Sequence, residues 1–358
     1  MHKKLFIPGP VDVREDVLLK MATPQIGHRT KDASALQRRI SDKMRQVMYT
    51  KNEILLSTSS GSGLMEGAVR SCTAKKAAVF SVGAFGKRWY DMAVNNGVPA
   101  DLYTSPLGQP TTAAMVEEAL ETGKYDLITV THNETSTGIM NPVESIAAVV
   151  SKYPDVIFCL DTVSSMGGTK IEVDALGVDI CITSTQKCLG LPAGMAICSI
   201  SEKALKAAEK VPHRGMYFDL LALYQCIQKK DYQYPSTPSL AHMFALDYQL
   251  DNILNEGLEN RYARHLAMAK TVREWAKKYF DLFVDEAYTS NTLTTVKNTR
   301  EIDVSALNKA LGEVGFQISN GYGDLKDKTF RIAHMADTQH ETLTALLTAI
   351  EEILKLKA

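Results

Sequence analysis

Five short runs of this chain are almost continuously apolar and rich in β-branched residues: Ala78 to Val82, Leu127 to Thr131, Val156 to Leu160, Ile180 to Thr183 and Met195 to Cys198. A strand with one face in water alternates apolar and polar side chains, whereas a strand apolar at nearly every position must be covered on both faces. Helix-length amphipathic stretches, such as Thr112 to Leu120 and Val143 to Tyr153, lie between most of the runs. The pattern predicts an α/β fold: a mostly parallel sheet with helices packed on either side.

From Pro238 to about Phe280 the pattern is helical, with a break at Gly257. Beyond that the chain changes character. Shorter strands (Leu293 to Val296, Phe316 to Ser319, Phe330 to Ala333) alternate with helices (Val304 to Val314, Thr338 to Lys355), which reads as a smaller α+β unit. The expected organisation is an N-terminal segment 1–15, a large domain 16–259 and a small C-terminal domain 260–358.

Charge and composition remove several classes of function. Forty basic and forty-one acidic side chains give a formal net charge of −1, so no global field favours nucleic acid or an anionic membrane. No apolar run reaches the ~20 residues of a membrane span. The opening MHKKLFIPGPVDV lacks the apolar stretch of a signal peptide. The six cysteines (Cys72, Cys159, Cys181, Cys188, Cys198 and Cys226) form no C-x-x-C pair, and several lie in strand-like runs. Reduced, buried thiols in a cytoplasmic protein without a metal site are expected.

In an open parallel sheet, ligands bind beyond the carboxyl ends of the strands. After Ile128-Thr129-Val130 comes Thr131-His132-Asn133-Glu134-Thr135-Ser136-Thr137-Gly138. After Phe158-Cys159-Leu160 comes Asp161-Thr162-Val163-Ser164-Ser165, and after Ile180-Cys181-Ile182 comes Thr183-Ser184-Thr185-Gln186-Lys187. Three junctions therefore deliver hydroxyls, carboxylates and one amine to the same rim. Upstream, Ser59-Ser60-Gly61-Ser62-Gly63 leads into a helix from Leu64 to Arg70, and a Gly/Ser turn into a helix N-terminus is an anion cradle.

Each piece also has a plainer reading. Lys187 could be a surface lysine, Asp161 a turn cap, Ser62 and Gly63 an N-cap, His132 a packed histidine and Phe85 a core ring. Their joint occurrence favours chemistry instead. A buried amine becomes a usable nucleophile, and a carboxylate ending an apolar strand calls for a buried cation. Lysine, carboxylate, anion cradle and hydroxyls together suit pyridoxal 5'-phosphate, which needs a Schiff-base amine, an anionic partner for its ring nitrogen and donors for its phosphate.

Pro8-Gly9-Pro10, Ser60-Gly61-Ser62-Gly63, Thr131 to Gly138, Asp161 to Ser165, Ser184-Thr185-Gln186-Lys187 and Phe330-Arg331-Ile332 occur in that order over nearly the whole chain. The set resembles the class V aminotransferases, in particular the alanine–glyoxylate / serine–pyruvate branch. That resemblance implies a pyridoxal-phosphate enzyme of fold type I, with a seven-stranded cofactor domain, working as a homodimer. It also implies amino transfer from a small amino acid, serine or alanine, to pyruvate or glyoxylate by ping-pong exchange through an aldimine.

By the same resemblance, Lys187 is the Schiff-base lysine and Asp161 the partner of the pyridine nitrogen. Val163 packs one ring face, Phe85 stacks on the cofactor, and Thr135 lies near the ring oxygen. Ser62, Gly63 and Gln186 bind the phosphate, while Tyr234 and Thr237 are donated to it by the other subunit. Arg331 holds the substrate carboxylate, and Gly9 contacts the substrate through its backbone. Two departures bear on substrate preference: Leu64 stands where some members have histidine, and Phe85 where some have tryptophan. Thr23 to Thr30 could bring His28 or Arg29 near the substrate.

Phosphoserine or aspartate transamination on the same scaffold is the nearest alternative. A desulfurase is disfavoured because no cysteine follows Cys226. A nicotinamide dehydrogenase would need the full glycine fingerprint and an acidic residue closing the next strand. A serine hydrolase would need G-x-S-x-G. None of these is present.

Overall fold

The computed structural model describes residues 2–357. Strands are numbered here β1 (Lys4–Phe6), β2 (Glu53–Ser57), β3 (Ala77–Ser81), β4 (Ala100–Thr104), β5 (Leu127–Thr131), β6 (Ile157–Asp161), β7 (Ile180–Ser184), β8 (Ala196–Ile200), β9 (Asp281–Leu282), β10 (Leu293–Lys297), β11 (Phe316–Asn320) and β12 (Thr329–Ala333). Seven of them form one sheet in the order β2-β8-β7-β6-β5-β3-β4. Pairings among β3 to β7 are parallel, while β8 runs antiparallel to both β7 and β2.

The apolar runs feed two cores, one on each face of this sheet. Ile54 and Leu56 enter one core and Leu55 the other; Phe158 and Leu160 join the first, Ile157 and Cys159 the second. Successive side chains of a strand point to opposite faces, which is why runs apolar at every position are needed here. The five expected strands are present within one or two residues at each end. Two sheet members escape the pattern. β4 is only partly buried and carries Asp101, and β2 is preceded by the polar pair Lys51-Asn52.

The helical stretch is broken at Gly257, between the helices Leu240–Glu256 and Leu258–Tyr279. Past it lies a five-stranded sheet in the order β1-β11-β12-β10-β9. The N-terminal strand β1 pairs in parallel with β11, so the first residues of the chain are built into the C-terminal sheet. Phe6, Ile318, Phe330 and Ile332 pack there with Met268, Trp275 and Leu346. This arrangement matters for the site, because it draws the turn after β1 back over the rim of the large sheet.

Candidate active site

The strand order reverses direction at β3 and β5, and the crevice outside the carboxyl ends of β3, β5, β6 and β7 is where such a sheet binds ligands. A cavity of about 230 Å³ opens there, and its lining includes Gly9, Ser62, Phe85, Thr135, Asp161, Val163, Gln186 and Lys187. Eight of the residues singled out from the sequence therefore meet around one space. A larger cleft of about 620 Å³ lies beside β1, but it carries the surface ion pairs Lys4–Asp12 and Arg14–Asp16 rather than unpartnered buried groups.

Lys187 is 8% exposed, and its amine donates a hydrogen bond to the carbonyl oxygen of Pro8. The Pro8–Val11 segment is tied down by Val11 N–H donating to the Gln186 carbonyl at 3.1 Å. Burial is the main reason the amine is pushed down to about 8, with the positive charge of Arg331 adding to the effect. Gly9 has φ +102°, and a Cβ there would lie 2.6 to 2.8 Å from Cδ, Cε and Nζ of Lys187. Only glycine fits both the left-handed backbone and the close approach.

Asp161 ends β6 and is 3% exposed. One oxygen accepts from Val163 N–H at 2.9 Å and the other from the indole Nε1–H of Trp89 at 3.5 Å. No basic side chain among the described residues forms an ion pair with it. Burial, reinforced by the negative charge of Glu134, pushes its carboxyl up to about 7. A carboxylate in this state gains by pairing with a cation placed in the cavity.

The helix Gly61–Cys72 begins at the cavity wall, with Ser60 as an N-cap that accepts no side-chain hydrogen bond. Ser62 lies in the first turn and lines the cavity. A Cβ on Gly61 would sit 2.8 Å from the Val163 side chain, so the helix start and the Asp161 loop approach through glycine. Thr131 Oγ1, Asn133 Oδ1, Ser184 Oγ and Gln186 Oε1 are buried without a hydrogen-bond partner. Orphaned polar atoms around a cavity are costly unless a bound polar molecule satisfies them. With a buried amine at one wall, an unpaired carboxylate at another and a bare helix start between, the donor set fits pyridoxal phosphate. Lys187 could hold its aldehyde, Asp161 its protonated ring nitrogen, and Ser62, the backbone N–H groups of Gly61 and Ser62 and the Gln186 side chain its phosphate.

The aromatic wall is positioned by a residue that pattern reading passed over. Glu134, fully buried, accepts from the backbone N–H groups of Phe85 and Gly86 at 3.1 and 2.9 Å and from the hydroxyl of Ser136 at 2.6 Å. It thereby caps the helix Ala84–Asn95 and holds Phe85 at the cavity edge. The signal available in the sequence was an acid among buried hydroxyls just past β5. Thr135 Oγ1 bonds to Ser164 Oγ, which joins the β5 and β6 loops.

Arg331, on β12, is 7% exposed, and its guanidinium donates only to carbonyl oxygens: Thr135 at 3.0 Å, and Asn320 at 3.0 and 3.1 Å. Burial pushes it down to about 10. A buried guanidinium that forms no ion pair among the described residues is a receptor for an anion.

Not every expected residue lines this space. Gly63 is in the first helical turn, with its N–H donating to Ser60 O at 2.9 Å. His132 is packed, with Nδ1 2.9 Å from Ser165 Oγ, and burial pushes it down to about 4. Tyr234 is buried outside this cavity and its hydroxyl accepts from Thr58 N–H at 3.2 Å, whereas Thr237 is exposed. Arg29 donates to the carbonyls of Tyr234 and Pro235 instead of entering the cavity, and His28 does not line it either. Cys188, next to Lys187, donates to Ser164 O, and burial pushes its thiol up to about 11, so it is not poised as a nucleophile. Arg88 was not anticipated. It lines the cavity half-buried, its Cζ 4.7 Å from the centre of the Phe85 ring, with no hydrogen bond or ion pair among the described residues.

The profile of the family "Aminotransferase class-V" matches residues 20–325. The chain is 37% identical to an uncharacterized aminotransferase of Methanocaldococcus jannaschii, over 99% of this chain and 93% of that one. It is 30% identical to the L-aspartate–glyoxylate aminotransferase of Paracoccus denitrificans, over 96% and 89% of the two chains. Among solved structures it is similar to the alanine–glyoxylate aminotransferase of Nostoc sp., with a TM-score of 0.92 and 27% identity, covering 99% of this chain and 96% of that one.

Proposed function

The chain belongs to the class V aminotransferases, a pyridoxal-phosphate-dependent family, and from that premise we propose that it moves an amino group from a small amino acid, alanine or serine, to glyoxylate or pyruvate. The observation that carries this reading is the single cavity in which the buried amine of Lys187, the unpaired carboxylate of Asp161 and the bare helix start meet, with the unneutralised Arg331 nearby.

When bound, the cofactor supplies an aldehyde that links to amines and a protonated ring that withdraws electrons from the linked carbon. Arg331 grips the donor's α-carboxylate and so fixes which bonds of the α-carbon face Lys187. With the cofactor bound, Lys187 would be the residue that holds and moves the α-proton, since its amine is buried beside the Pro8 carbonyl and pushed down to about 8. Asp161 would hold the ring nitrogen in its protonated form. Val163 and Phe85, which line the cavity, would hold the ring, and Glu134 keeps Phe85 in place. Transfer to an oxo acid would use the same residues in reverse, for which ping-pong kinetics are expected.

The test is a donor panel. Each amino acid is added to holoenzyme and scored by loss of the visible absorbance of the lysine-linked cofactor, then by turnover with glyoxylate and pyruvate. Alanine and serine should rank first, and an enzyme that transaminates no amino acid would overturn the reading. Arg331→Lys keeps the charge but loses the fork, and should raise KM for both substrates by about 1–3 kcal/mol, or roughly 5- to 150-fold. An unchanged KM would place the carboxylate elsewhere. A second reading, an acidic donor such as aspartate or phosphoserine, is favoured by Arg88, a cavity cation without an anionic partner among the described residues. Aspartate outranking alanine, with the preference lost in Arg88→Gln, would support it.

We further propose a cytoplasmic homodimer in which Tyr234 and Thr237 reach the partner's cofactor. The exposure of Thr237 supports the contact and the buried, unpaired thiols of Cys72, Cys159, Cys181, Cys188 and Cys198 support the compartment, while Tyr234, buried with its hydroxyl bonded to Thr58 N–H, has to exchange that bond to reach the partner. Sedimentation should give twice the chain mass, and a fully active monomer would contradict the assembly.

A further inference from the structure

Between β11 and β12 residues 321–328 form a loop with a 3₁₀ turn at Gly323–Leu325, and the start of the loop lies over Arg331. Ser319 and Arg331 are cross-strand partners, and Gly321 N–H donates to Thr329 O at 2.8 Å, which fixes the loop. Tyr322 projects from it. Its ring centre lies 5.4 Å from that of Phe85, with the planes at 41°, and 5.6 Å from the Arg331 guanidinium carbon. The ring is 38% exposed, and its hydroxyl makes no hydrogen bond among the described residues. The Phe85 ring that it meets lines the cavity already described, whereas Tyr322 does not. Tyr322 lines a second cavity of about 430 Å³, with Ala84, Leu102, Leu107 and Leu325 in its walls beside the polar Lys87 and Asp324.

We propose that Tyr322 is a specificity-determining residue that limits the length of the donor's side chain. The inference rests on the aminotransferase reading and on Arg331 as the α-carboxylate receptor. An amino acid held at Arg331 for chemistry at Lys187 has to direct its side chain past the ring that spans Phe85 and Arg331. A methyl or hydroxymethyl group ends before that ring, whereas a long apolar side chain needs the outer chamber, which the ring closes off. The free hydroxyl assigns the effect to ring bulk rather than to a polar contact.

The experiment measures kcat/KM for alanine and for phenylalanine, with glyoxylate as acceptor, in wild type, Tyr322→Ala and Tyr322→Phe. Removing the ring should raise the phenylalanine-to-alanine ratio by at least about tenfold, chiefly through a lower KM for phenylalanine, the size expected for side-chain discrimination in an apolar pocket. Tyr322→Phe should keep the wild-type ratio. An unchanged ratio in Tyr322→Ala, or an equal loss for both donors, would overturn the inference while leaving the aminotransferase reading intact. A wild type that transaminates neither amino acid, nor any other, overturns both.

Discussion

Lys187→Ala should abolish turnover, with kcat falling by at least about 10⁴-fold, the upper end of what a positioned proton-transfer group supplies, and the visible absorbance of the lysine-linked cofactor should disappear. The amine has two roles, link to the cofactor and carrier of the α-proton, and no neighbour can replace it. His132 is bonded to Ser165, and Cys188 is turned toward Ser164. Burial prepares the amine for both roles. With its pKa near 8, roughly a quarter is neutral at pH 7.5, against roughly a thousandth for an ordinary lysine. The rate at which wild-type apoenzyme recaptures cofactor should therefore climb as pH rises through about 8 and level off above it. The alanine variant should fold normally by circular dichroism, since it loses a buried charge. Steady-state activity near that of wild type would refute the assignment.

Asp161→Asn should lower kcat by roughly 10²- to 10⁴-fold with little change in donor KM, the consequence of leaving a buried cation without its partner at about 3–5 kcal/mol. Asparagine keeps the bond from Val163 N–H and the volume, so the loss reports charge alone. A kcat within a few-fold of wild type would remove Asp161 from the mechanism. The same substitution should act oppositely on the empty protein. The folded carboxyl sits near 7 against 3.8 ordinarily, so the unfolded chain gives up its proton first as pH rises from about 4. Wild-type apoenzyme is therefore penalised progressively between about pH 4 and 7, and fully above that. Apo Asp161→Asn should melt higher than wild type at pH 8, the gap closing below pH 4, and cofactor should stabilise the wild type more than the variant.

Much of this site was legible in advance because of where it falls on the sheet. Asp161 and Lys187 each close or follow an apolar run, and the end of a strand is the one place where a chain leaving a two-sided core can present polar groups to a common rim. Arg331 was legible only through resemblance, since one arginine in Thr329–Ala333 says nothing of what it faces. Glu134 was passed over for the same reason: that it caps the helix carrying Phe85 depends on a packing between β3 and β5 that no local pattern encodes. Arg88 and Tyr322 look like ordinary surface residues in sequence, and become interesting only because they meet Phe85 from two different elements.

The amino-acid order by itself determined the layers, the sheet direction and the strand ends that carry the reactive groups, because the two-residue and 3.6-residue periods of apolar side chains are local properties of the chain. Tertiary structure decided what those groups meet. Pro8 and Lys187 are 179 residues apart, and Thr135 and Arg331 are 196 apart. The first contact exists because β1 is pulled into the distant C-terminal sheet, the second because that sheet brings Arg331 of its central strand β12 against the loop after β5. Such contacts follow from how whole layers pack, and a site shared between two sheets is fixed only when both are in place.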